Sequence, residues 1–155
     1  MKIADVICAK AIVPRLACSQ RDDVISELIG ALDSAGVLGK SKAAILKAVI
    51  KRENEASTGI GKGVAVPHVK HKSIKKTVAA IGVSADGIDF TSLDKQPVYS
   101  VILLISPLDG DQHLQAMEAI FSQLQNDDFR SFLRQSETIE QIQELLDEAS
   151  EKSSL

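Results

Sequence analysis

His68 closes the run S57-T-G-I-G-K-G-V-A-V-P-H68, in which three glycines alternate before a short apolar stretch and a proline. A neutral imidazole is a nucleophile near neutral pH, because its ordinary pKa is about 6.5. Pro67 has no N–H, so it is expected to end the ladder of a preceding strand and to fix the local backbone direction. His68 is then expected just past a strand end, a frequent place for a working side chain in α/β folds. Gly59, Gly61 and Gly63 permit left-handed or crowded backbone conformations. Successive N–H groups in such a loop can form an anion-binding nest, and Ser57 and Thr58 add hydroxyl donors. The plainer alternative is a glycine-shaped turn with His68 as a polar core residue, and spacing alone leaves both open.

Two nucleotide-binding readings fail on spacing. A P-loop needs G-x-x-x-x-G-K-[ST], but Gly63 follows Lys62, and Ala56 occupies the position of the first glycine. The G-x-G-x-x-G pattern fails because the third glycine stands at the wrong offset. His68 and His71 form an HxxH outside a predicted helix with no third ligand nearby, so no metal site is expected.

His113 lies in D109-G-D-Q-H-L-Q115 at the start of a predicted helix. The first-turn N–H groups lower a histidine's pKa and favour an anion, while Asp109 and Asp111 act the other way. Its charge therefore stays open, as does the simple reading of a surface histidine. Arg52 ends an earlier predicted helix, where a cation is favourable on local grounds. Its guanidinium is also a planar fork of donors suited to phosphate oxygens.

These residues must be positioned by a chain of 155 residues, a length suited to one domain with a real core. Hydrophobic residues make up 45% of it but aromatics only 3%, so aliphatic side chains must build that core. A net charge of −3 argues against nucleic-acid binding, which needs a concentrated basic face. The run K70-H-K-S-I-K-K76 reads as a solvated loop, or as a docking patch for an acidic partner. Cys8 and Cys18 are not a CxxC pair and read as incidental thiols in a reducing compartment. There is neither a signal-peptide pattern nor an apolar run long enough to insert in a membrane, so a soluble, cytoplasmic protein is expected.

A short strand is expected within the first 18 residues. Ser19 as N-cap, with Asp22 three residues later, opens a helix carrying Val24, Ile25, Leu28, Ile29 and Leu32, which Gly36 ends. A second helix follows Ser41, with Ile45, Val49, Leu46 and Ile50 inward. V64-A-V66 and T77–V83 read as strands, and V98-Y-S-V-I-L-L-I105 as a central strand buried on both faces. I88-D-F-T reads as an edge strand or turn. After Pro107 and D109-G110 comes a helix with Leu114, Met117, Phe121 and Leu124 on one face, then a short helix over D127–L133. T138-I-E-Q141 is a capping box for a last helix with Ile139, Ile142, Leu145 and Leu146 inward. The expected fold is α/β, a single mixed β-sheet flanked by helices, with one domain over residues 1–150 and a polar tail over 151–155.

The set R52-E-x-x-x-S-T-G-I-G-x-G-V-A-V-P-H68 resembles the phosphorylation segment of the fructose/mannitol-type (type 2) enzyme IIA proteins of the bacterial phosphotransferase system, which include the nitrogen-regulatory IIA proteins. G87-I-D-F90 with Q-P-V98, then S106-P with H113-L, then D128-F-R-S-F-L133 and the E-x-I-x-E-L-L helix, extend the resemblance over nearly the whole chain. Val69, where relatives often carry a small residue, and the basic Lys70–Lys76 segment depart from the shared pattern. The resemblance implies a phosphocarrier. His68 would accept a phosphoryl group from the histidine-containing phosphocarrier protein and pass it to an enzyme IIB cysteine in sugar uptake. The alternative is a nitrogen-regulatory protein whose phosphorylation state controls partner binding. His113 is implied as a second active-site histidine and Arg52 as the arginine near the site; with the donor chemistry of the loop, Arg52, Ser57, Thr58, Gly59, Gly61 and Gly63 are expected to hold the phosphate, and no cofactor or metal is implied.

Overall fold

The computed structural model of the protein describes residues 1–152. The elements in chain order are α1 (Ile3–Val6), β1 (Ile7–Val13), α2 (Arg21–Ser34), α3 (Lys42–Glu55), β2 (Gly59–Gly61), β3 (Val64–Ala65), β4 (His68–Lys70), β5 (Val78–Ile88), β6 (Val98–Ser106), α4 (Gln112–Leu124), α5 (Asp127–Gln135) and α6 (Ile139–Lys152). They form one mixed sheet in the order β1-β5-β6-β3-β2, with β4 also paired to β6. This is the single mixed sheet flanked by helices that the sequence predicts.

β6 is central because its residues are apolar at both parities. Ile102 and Leu104 enter a core with α1, α4, α5 and α6, while Val101, Leu103 and Ile105 enter a second core with α2 and α3. A strand with both faces covered must pair all its backbone groups within the protein. β5 runs antiparallel along one side of β6, and β3 and β4 run parallel along the other.

The helices follow their apolar stripes, with some shifts. All five predicted residues of α2 are fully buried, and Gly36 ends the helix at φ +81°. Its N-cap is Gln20 rather than Ser19, and the first turn gains Asp22 and Asp23, which suit the helix N-terminus. α3 buries Ile45 and Val49, with Leu46 and Ile50 packed at the margin. α4 turns Ala116, Ile120 and Leu124 inward, with Met117 and Phe121 beside them, and leaves Leu114 63% exposed. Leu114 thus departs from the expected inner face. The capping box of α6 is present, with Gln141 N donating to Thr138 Oγ1 at 3.1 Å and Thr138 N donating to Gln141 Oε1 at 3.3 Å. Ile139 is largely exposed, against expectation, while Ile142 and Leu146 are buried. α6 continues through Lys152, so the expected tail begins as helix, and its residues 153–155 lie outside the described residues. Ile88 ends β5, residues 89–92 are irregular rather than an edge strand, and a turn follows at 93–94.

β2 and β3 form a small antiparallel hairpin at the sheet edge. Gly61, Lys62 and Gly63 all have positive φ, at +91°, +59° and +78°, and make its turn. Gly59 has a different duty. A Cβ there would stand 2.2 Å from Ser92 Oγ and 3.1 Å from Ser92 Cα, so the loop after β5 packs on bare backbone. Gly59→Ala is expected to destabilise the fold by about 1–3 kcal/mol through overpacking. Urea denaturation checks this, and an unchanged midpoint would contradict it.

Candidate functional site

The sequence places Pro67 as a strand end, and β3 does end before it at Ala65, with β4 opening at His68. Val64 and Ala65 pair with Ser100 and Val101, and His68, Val69 and Lys70 pair with Leu104, Ile105 and Ser106 in the same register. Pro67 donates nothing, yet its carbonyl accepts from Leu104 N at 2.9 Å, so the ladder survives the missing donor. His68 therefore lies just past the end of β3 and opens β4 in the same register.

This register sets His68 near the end of β6, from which the chain turns through Pro107–Gly110 into α4. His113 is the second residue of that helix. The two imidazole centroids lie 5.5 Å apart with a 48° tilt, and both side chains are half-buried. His68 Nδ1 lies 2.8 Å from Val66 O. A carbonyl only accepts, so in the neutral ring Nδ1 holds the proton and Nε2 holds the free lone pair. His113 Nδ1 lies 2.8 Å from the hydroxyl of fully buried Ser106. Ser106 also accepts the His71 N–H at its carbonyl and is the register partner of Lys70. One buried serine thus joins β4, β6 and α4.

Burial lowers the His113 pKa to about 4, assisted by repulsion from His68 and from Lys70. The charge that the sequence left open is settled by desolvation, and His113 is neutral at pH 7.

Behind His68 runs a second chain of contacts. Glu53 is 2% exposed, and its carboxylate accepts the Thr58 N–H at 2.6 Å and the Thr58 hydroxyl. Thr58 O accepts from Val66 N at 3.1 Å, and Val66 O accepts from His68. Glu53 therefore holds the strand segment whose carbonyl sets the His68 tautomer.

The other predicted phosphate holders have hydrogen-bond partners of their own or lie in the hairpin turn. The Thr58 hydroxyl is committed to Glu53. Ser57 Oγ donates to Phe90 O at 2.5 Å and accepts from Gly59 N at 3.0 Å. Arg52 Nη1 donates to Ala56 O at 2.8 Å, capping the end of α3. Gly61 and Gly63 turn the hairpin beside Asp94 and Tyr99, with Asp94 Oδ2 accepting from Lys62 N at 3.1 Å. Val64, next to that turn, pairs with Ser100, whereas His68 pairs with Leu104. At roughly 3.3 Å per residue, the turn is on the order of 13 Å from His68 along the sheet. The structure brings His68 and His113 together and does not bring Gly61 and Gly63 to them. Side-chain spacing missed Glu53, Ser106 and the Val66 carbonyl. S106-P lay within a recognised segment, but nothing there singled out the hydroxyl.

The family model described as "Phosphoenolpyruvate-dependent sugar phosphotransferase system, EIIA 2" matches residues 6–149. The chain belongs to that family and is a phosphotransferase component. It is 33% identical over 147 residues to a nitrogen regulatory protein of Bradyrhizobium diazoefficiens, covering 94% of this chain and 95% of that one. It is 32% identical over 150 residues to the fructose-specific EIIABC component of Bacillus subtilis, covering 96% of this chain but only 23% of that much longer protein. Among solved structures, nitrogen regulatory protein IIA-Ntr from Neisseria meningitidis superposes with a TM-score of 0.84 at 23% identity, covering 93% of this chain and 98% of that one. Enzyme IIA mannitol of Escherichia coli, in complex with phosphorylated enzyme IIB mannitol, gives a TM-score of 0.78 at 18% identity, covering 92% and 99%. These structural likenesses establish the fold. Among the described residues, no helix is long and apolar enough to cross a membrane.

Two outcomes test the site's electrostatics and support. In NMR titration the His113 ring is expected to protonate with a midpoint near 4. An unfolded chain takes that proton near pH 6.5, so acidification from about 6.5 towards 4 removes folded stability. A His113 midpoint at or above the ordinary value would refute the site's electrostatics. Glu53→Ala is expected to cost about 1–3 kcal/mol in urea denaturation, because Thr58 N–H is left buried without an acceptor. It should also shift the His68 ring nitrogens towards a mixed tautomer in ¹⁵N spectra, with Glu53→Gln partly restoring both readouts. An unaltered tautomer would remove Glu53 from the support of His68.

Proposed function

We propose that the protein is a phosphocarrier of the bacterial cytoplasm and that His68 is its phosphoryl acceptor. The observation carrying this reading is the paired geometry of the imidazoles. His68 Nδ1–H is anchored on Val66 O, and the His113 ring stands 5.5 Å away. That arrangement leaves Nε2 as the nucleophile. Its lone pair attacks the phosphorus of a phosphohistidine on the histidine-containing phosphocarrier protein. The new P–N bond forms in line as the donor's P–N bond breaks, and the donor imidazole leaves with that electron pair. Phosphoryl transfer asks for positioning and charge stabilisation at the equatorial oxygens. His113, held by Ser106, is placed to donate to one of them, and Lys70 adds positive potential nearby.

In the sugar-uptake reading, an enzyme IIB cysteine thiolate then attacks the same phosphorus and releases His68. The likeness to the enzyme IIA mannitol seen with phosphorylated enzyme IIB, and to fructose-specific components, supports that reading. A regulatory reading, in which the state of His68 selects a binding partner, is favoured by one observation. The match to the Bradyrhizobium nitrogen regulatory protein extends over 95% of that protein's own length.

Incubation with phosphoenolpyruvate, enzyme I and the histidine-containing phosphocarrier protein is expected to give an acid-labile phosphohistidine, linked at Nε2 by ³¹P and ¹⁵N NMR. His68→Ala should take up none. His113→Ala should label more slowly, by roughly 10- to 1,000-fold if it supplies one transition-state donor. Normal labelling of His68→Ala would overturn the assignment, and an Nδ1 linkage would overturn the tautomer argument. Onward transfer to an enzyme IIB cysteine separates the transport reading from the regulatory one.

A further inference from the structure

Residues 71–77 cross the end of β6, leading from β4 on one side to β5 on the other. The far end of this segment walls a cavity of about 580 Å³, a size suited to a small molecule. Ile7, Ala79, Leu104 and His68 occupy successive positions across the sheet. Three strand spacings therefore separate this cavity from the phosphorylation site, roughly 14 Å.

The chemistry of the wall is specific. Lys75 and Lys76 bring two cations against the one carboxylate of Asp5, and Leu38 and Val78 supply apolar surface. Thr77, between the lysines and Val78, is 5% exposed, and its hydroxyl has no hydrogen-bond partner within the protein. That oxygen is sealed from the cavity, so the polar groups a ligand meets there are the lysines. An anion answers the lysines, while the apolar wall calls for a carbon body.

We propose that this cavity binds a small amphiphilic anion, an organic carboxylate or phosphate ester. Its head pairs with Lys75 and Lys76, and its carbon body lies on Leu38 and Val78. The site is independent of the phosphocarrier reading and stands or falls by direct binding.

The test titrates the ¹⁵N-labelled full chain with benzoate, phenyl phosphate and inorganic phosphate. Benzoate or phenyl phosphate is expected to shift the amides of Leu38, Lys76, Thr77 and Val78 saturably, with a dissociation constant of about 1 mM or below. The tighter of the two identifies the head group, and inorganic phosphate, lacking the body, should bind more weakly at these amides. Combined Lys75→Ala and Lys76→Ala substitution should weaken binding roughly tenfold. The proposal is overturned if none of the probes shifts these amides up to about 20 mM, or if the shifts cluster at His68 and His113 alone. Undiminished binding in the double-lysine variant overturns it equally.

Discussion

The constraint on which the rest depends is the pairing of β6. Its side chains feed two cores at once, so no edge of its backbone can be left to water. Parallel pairing with β3 and β4 must therefore continue past Pro67, which has no N–H to give. It does so through the proline carbonyl and Leu104 N. The unbroken register sets His68 beside Leu104, two residues before the serine that holds His113. Two histidines far apart in sequence meet because one buried strand has to be fully paired.

The electrostatics follow from the same packing. Two imidazoles and Lys70 crowd one end of the sheet, and His113 loses its proton because water is excluded and the nearby charges are positive. Such a site is poorly matched to a further cation and well matched to a dianion. In the proposed function, a phosphoryl group on His68 would bring negative charge beside His113 and offset part of the repulsion from Lys70. Positioning and response to charge are then properties of one arrangement rather than of separate groups.

Much of the fold was legible in the sequence, because periodicity and breakers report directly on burial. The apolar run of β6, the α2 stripe and the Thr138–Gln141 capping box each correspond to an observed element. Leu114 misled because a large apolar residue suggests an inner face, whereas close packing on the sheet selects Ala116 and Ile120. The two histidines were legible from their segment's likeness to a known family. The glycines were legible only as permissive backbone. A glycine shows that a conformation is allowed or that space is needed, not which neighbour uses it, and Gly59 accommodates Ser92 while Gly61 and Gly63 turn a hairpin. Glu53 acts through a five-residue loop, and Val66 acts through a carbonyl that every residue possesses. No pattern of side-chain types can reveal such a role.

The basic run Lys70–Lys76 shows how topology divides what sequence presents as one feature. As a string it reads as a single solvated loop or a single docking patch. In the fold it has to pass from one flank of β6 to the other, and Ile74, buried among the residues of the α2/α3 core, pins it midway. Lys70 stays on the β4 flank, paired in register with Ser106 and acting on His113. Lys75 and Lys76 fall on the β5 flank, beside the unpaired Thr77 hydroxyl. The same charges therefore serve two environments, one beside His68 and His113 and one across the sheet from them. The apolar residue between them divides the run.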